Sequence, residues 1–133
     1  MIYITKASSN TVALTLWEKT TIALDLVQYL FIFENAQTNE TTAFIAADTS
    51  SFINRYNLFT IVETDNPDPL AGEVSLDRGR YNYYVYEQES TTNLDPTGLT
   101  LVESGFVTVY AARAADTTYA TSATQYEVYN GGK

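Results

Sequence analysis

The sequence predicts an all-β chain, an antiparallel β-sandwich over residues 1–110 followed by an extended C-terminal arm over 111–133. Three observations carry this reading. Short runs with period-2 alternation recur between clusters of Gly, Pro, Asn, Asp and Ser, the pattern of half-buried strands joined by turns. Thr is abundant and there are 11 Tyr in 133 residues, both types that suit a pleated, half-buried surface. No stretch sustains a helical period long enough to serve as a parallel crossover. A chain of this length and 45% hydrophobic content can bury one real core.

Taken in order, Ile2 to Thr5 makes an opening strand, ended by the turn residues Ala7-Ser8-Ser9-Asn10. Thr11 to Trp17 alternates, with Val12, Leu14 and Leu16 on one face; Trp17 suits an edge or end-of-core position. Leu24 to Val27 fits a strand or a short helical turn equally. Tyr29 to Phe33 is apolar on both faces, as expected for a strand covered on both sides. Glu34 to Glu40 is a polar hairpin loop leading to an antiparallel partner at Thr41 to Ala47. Within Asp48 to Arg55, Asp48 or Thr49 could cap one helical turn. Leu58 to Glu63 is a strand with Phe59 and Ile61 together. Pro67 and Pro69 make Thr64 to Gly72 an irregular exposed loop, and Glu73 to Leu76 a brief strand after it.

The centre of the pattern is Leu76 to Glu87, L-D-R-G-R-Y-N-Y-Y-V-Y-E. Gly79 permits the positive φ of a tight turn, and a strand begins at Arg80. Tyr81, Tyr83 and Val85 then share one face, and Tyr84 and Tyr86 the other. A Leu, a Gly turn and Tyr-x-Tyr-x-Val resemble the tyrosine corner of immunoglobulin-like sandwiches, in which a Tyr hydroxyl bonds back to backbone a few residues upstream. The resemblance implies that Leu76 and Tyr81 plug the end of the sandwich, with Tyr81 or Tyr83 supplying the hydroxyl. Gln88 to Gly98 is a polar loop. Leu99 to Val102 and Gly105 to Tyr110 read as a strand pair, with Gly105 at a bulge or bend between them.

Composition excludes several kinds of chemistry. Without Cys or His there are no disulfides, thiol nucleophiles, imidazole bases or His- and Cys-liganded metal sites. A net charge of −9 argues against nucleic acid, which needs a cationic footprint. Arg78 and Arg80 are the only clustered basic residues and read as a solvated rim. The N-terminus lacks signal-peptide features, and no apolar run approaches membrane-spanning length, so neither Sec processing nor membrane insertion is expected. Paired carboxylates among Glu34, Glu63, Glu87, Glu89 and Asp95 are the catalytic chemistry such a chain could most easily run. Asp65, Asp68 and Asp95 lack the spacing of a calcium loop. No catalytic residue, cofactor or metal is expected.

Contact is the remaining chemistry. Tyr84 and Tyr86 are expected to face outward, with Tyr110 extending their stripe from the neighbouring strand. In the C-terminal arm Gln125 to Tyr129 alternates again. It reads equally as a disordered tail or as a strand added to a neighbouring subunit, with Tyr126, Val128 and Tyr129 as contacts.

Y-L-F-I-F-E-N (Tyr29 to Asn35), L-D-R-G-R-Y-N-Y-Y-V-Y-E-Q (Leu76 to Gln88) and L-V-E-S-G-F-V-T-V-Y (Leu101 to Tyr110) occur in that order. Together they are similar to the small immunoglobulin-like structural proteins of tailed bacteriophages, over roughly residues 12 to 110. Phe106 departs from the small or basic residue expected after that Gly, and the arm has no counterpart. The resemblance implies a non-enzymatic virion component: a capsid decoration, neck or tail accessory subunit. It would be assembled in the host bacterial cytoplasm, with other virion proteins and copies of itself as partners. A carbohydrate-binding or host-surface adhesion module, with a glycan partner, is the alternative.

Overall fold

The computed structural model describes residues 1–50 and 56–111. Among them are eight strands: β1 (Ile2–Thr5), β2 (Ser9–Leu14), β3 (Gln28–Asn35), β4 (Thr41–Ala46), β5 (Asn57–Glu63), β6 (Glu73–Val74), β7 (Gly79–Gln88) and β8 (Thr100–Tyr110). They form a two-layer sandwich, a five-stranded sheet in the order β1-β8-β7-β3-β4 facing a three-stranded sheet β2-β5-β6. Most pairings are antiparallel, as alternating strands with short polar connections require. Two are not: β1 runs parallel to β8, and β5 parallel to β6. The sandwich is thus antiparallel apart from these two pairs. Ile2 pairs with Val107 with no hairpin between them, and β6 follows β5 across the loop that holds the 3-10 turn, so neither pair is tied to antiparallel running by a tight turn.

The alternation in each strand becomes the core. Val12, Leu14 and Leu16 from one layer meet Tyr29, Phe31, Phe33, Tyr81, Tyr83 and Val85 from the other. Phe31 stacks on Phe44 with ring centres 5.0 Å apart and meets Phe59 edge-on at the same distance. Burying such rings is the main stabilising contribution here. The doubly apolar β3 lies between β7 and β4 with both faces covered: Phe31 faces the main core, while Leu30 and Ile32 join a second cluster on the outer face.

Local side-chain bonds set where strands begin and end. β2 starts at Ser9 and stops at Leu14, short of the expected Trp17. Leu16 remains fully buried, but its N–H donates to the Asn57 side chain at 2.8 Å instead of to a strand partner. Trp17 is half-buried just past the strand end. Leu24 to Val27 is a turn closed on the Ala23 carbonyl. In the β3–β4 hairpin, Asn35 Oδ1 accepts from Gln37 and Thr38 N–H, which orders a loop that no hydrophobic contact would hold. Asp48 accepts from the Ser50 and Leu58 N–H groups, and the helical turn expected after it falls on residues 51–55, outside the described residues.

The proline loop contains one turn of 3-10 helix, Pro69–Ala71, N-capped by Asp68 and ended by Gly72. Gly72 has φ +74, and a Cβ there would lie 2.9 Å from the Thr60 carbonyl oxygen, so the close approach of β5 requires glycine. β6 ends at Val74 because the Leu76 N–H turns to the Glu63 carboxylate. The bulge or bend expected at Gly105 is also corrected, since β8 runs as a single strand through it. Gly105 sits opposite Tyr83, and a Cβ there would meet that ring at 2.7 Å. The irregularity lies instead between Val85 and Tyr86, which pair with Glu103 and Leu101 and leave Val102 as the extra, buried residue.

Candidate interaction surface

One end of the sandwich is built by the link from β6 to β7. Leu76 is buried, and Gly79 has φ +136 with open space around it. The Tyr81 hydroxyl accepts from the Asp77 N–H at 3.0 Å and donates to the Asp77 carbonyl at 3.1 Å. Tyr83 makes no such return bond; its hydroxyl donates to Glu103 at 2.8 Å, and burial, with Glu103 beside it, pushes its pKa well up. Beneath this link Glu63, 3% exposed, accepts from the Ala7 and Leu76 N–H groups and pairs with Lys6 at 3.5 Å. Burial raises the Glu63 pKa, but the two N–H donors and Lys6 outweigh it and hold the carboxyl below its ordinary value. Lys6 also donates to the Leu76 carbonyl. The β1–β2 turn, β5 and the start of β7 are thus tied at one point.

The outer face of the five-stranded sheet divides into a covered and a bare region. Tyr84 and Tyr86, expected to point outward, do so, but they are half-buried rather than free. They pack with Leu30, Ile32 and Ile45 under Leu94 and Leu99 of the 89–99 loop. That loop is pinned by Asn93, which exchanges bonds with Gln88, and by Asp95, which accepts from Thr97. These Thr97 bonds depress the Asp95 pKa. The Tyr84 hydroxyl donates to Glu34 at 3.3 Å; burial and that carboxylate raise its pKa.

Across β8 and β1 nothing among the described residues covers the sheet. Tyr3 is 58% exposed, Phe106 54%, Tyr110 50% and Leu101 47%. The register places them on one face, since Tyr3 lies opposite Thr108, Thr5 opposite Tyr110 and Asn82 opposite Phe106. Tyr3 and Tyr110 stack with ring centres 6.2 Å apart and planes 16° from parallel. These four large apolar side chains stand exposed on one face of the sheet.

No family model and no curated protein matches the sequence. A similar solved structure is a Bacteroides vulgatus protein described as a "putative glycoside hydrolase". It is 10% identical with a TM-score of 0.47, and the match spans 87% of this chain but 17% of that one. A likeness at that level carries no argument about activity.

Of the carboxylates considered for catalysis, four make hydrogen bonds within the fold, and Glu89 is exposed just past the end of β7. Glu63 is committed as above, and Glu87, also 3% exposed, accepts from the Thr21 and Ile22 N–H groups and the Thr21 hydroxyl, anchoring the β2–β3 connection. Glu34 and Asp95 hold Tyr84 and Thr97. Among the described residues no three His, Cys, Asp or Glu side chains could together hold a metal ion. Of the expected contact residues, Tyr110 stands on the bare face, Tyr84 and Tyr86 in the covered one, and Tyr126, Val128 and Tyr129 lie outside the described residues. Sequence reasoning missed Tyr3, Leu101 and Phe106 as exposed side chains of this face. Tyr3 between Ile2 and Ile4, and Phe106 beside Val107, already alternate with buried positions, which marks an outward side chain.

Proposed function

We propose that this chain is a non-enzymatic, immunoglobulin-like assembly subunit that docks on neighbouring subunits through the bare outer face of its larger sheet. The observation that carries the reading is the exposed aromatic stripe Tyr3, Tyr110 and Phe106 beside the edge strand β1. The supporting resemblance to tailed-phage structural proteins makes a virion component, bound to copies of itself and other virion proteins, the setting we favour. Light scattering on the full chain should give an oligomer, and Tyr3→Ser with Tyr110→Ser should weaken association on the order of tenfold or more. A monomeric full chain, or an oligomer indifferent to both substitutions, would reject self-association through this face.

A second reading rests on the near-parallel, exposed Tyr3 and Tyr110 rings, which offer a flat platform for a sugar. Glycan binding by a monomeric chain, lost in the same double variant, would favour it.

A further inference from the structure

Beside the aromatic stripe, a groove of about 440 Å³ opens between the β3–β4 hairpin and the start of β7. Asn35 and Gln37 line one side, Arg78, Arg80 and Asn82 another, and Phe106 stands in it from β8. Both arginines are exposed. In a chain with 7 basic and 16 acidic residues they have abundant potential partners, yet the ion pair among the described residues is Lys6 with Glu63, and neither guanidinium is paired. Glu34, in register with Asn82, accepts from Tyr84 instead. The Tyr81 bonds to Asp77 fix the backbone that carries both arginines, so the groove is set before anything binds.

Two unpaired guanidiniums beside an exposed ring match a carboxylate carried between apolar side chains, because the fork bonds the carboxylate while the ring takes the flanking surface. A second copy of this acidic chain has the complementary charge. Its segment Tyr126-Glu127-Val128-Tyr129 sets one carboxylate among aromatic and aliphatic residues. That segment lies outside the described residues, downstream of Ala111, which borders an adjoining hollow together with Arg78, Gly79, Val109 and Tyr110.

We infer that the groove of one copy receives the Gln125–Tyr129 segment of a second copy, with Glu127 bonded by Arg78 and Arg80 and an adjacent tyrosine against Phe106. The inference rests on the assembly reading above and names its receiving site. Each copy then offers one groove and one segment, a head-to-tail contact.

Mixing two full-length variants tests it. Arg78→Ala with Arg80→Ala has a spoiled groove and an intact segment; Glu127→Lys has the reverse. Each alone should self-associate at least tenfold more weakly than the unsubstituted chain in light scattering. An equimolar mixture should recover a species of twice the chain mass, since one intact groove meets one intact segment. Circular dichroism confirms that both variants are folded. No recovery in the mixture overturns the inference, as does a Glu127→Lys chain that associates normally. Normal association of the arginine variant overturns the groove while leaving the Tyr3–Tyr110 face standing. A monomeric unsubstituted chain overturns both.

Discussion

Single side chains do much of the structural work at the corner, and their effects are separable. Tyr81→Phe removes both bonds to Asp77 and leaves its N–H without that partner, so we expect a loss of about 1–3 kcal/mol in urea unfolding. Tyr83→Phe is the matched control, because it removes a bond to Glu103 without touching the corner. Glu63 should make stability depend on acid. Its folded-state pKa lies below the ordinary 4.5, so its contribution is fully present above about pH 4.5 and is lost as pH falls through the folded value. Unfolding midpoints measured from pH 6 downward should fall for the native chain in that window, and Glu63→Gln should flatten the fall while lowering the plateau. A slope unchanged in the variant would assign the acid sensitivity to other groups. Leu76, Gly79 and the alternating tyrosines were legible in the sequence as a corner. Which hydroxyl closes it was not, because Tyr81 and Tyr83 share a face, and only the folded chain sets Asp77 against one and Glu103 against the other.

Among the elements, β3 is the keel of the larger sheet. It is paired on both edges and covered on both faces, which follows from a run with no polar side for solvent. Phe31→Ala would remove the ring shared by Phe44 and Phe59 and should cost about 3–5 kcal/mol. That is a large share of the roughly 5–15 kcal/mol available to a domain of this kind. Thermal or urea unfolding checks it, and a loss under about 1 kcal/mol would mean that the site collapses around the gap. The β3–β4 hairpin and β5 were legible because each is a local pattern with its own turn chemistry. Gly105 was misread for an instructive reason. A glycine inside a strand signals either a bend or the close approach of another group, and only the opposite strand, with the Tyr83 ring, decides between them.

For the whole molecule, the chain by itself determined the all-β class, most of the inward positions and the absence of imidazole and thiol chemistry. These follow from alternation and composition, which are properties of neighbours in sequence. The tertiary structure decided the rest. It paired β1 in parallel with β8, about a hundred residues apart in sequence, and so made Tyr3 and Tyr110 one exposed surface. It folded the 89–99 loop over Tyr84 and Tyr86, turning an expected outer stripe into a small second core. It also brought the 34–40 hairpin beside Arg78 and Arg80, making a groove from a pair that in sequence reads as a solvated rim. The physical reason is common to all three. Whether an outward side chain stays in water depends on which distant segment packs above it, and alternation specifies the face of a strand but not what covers that face.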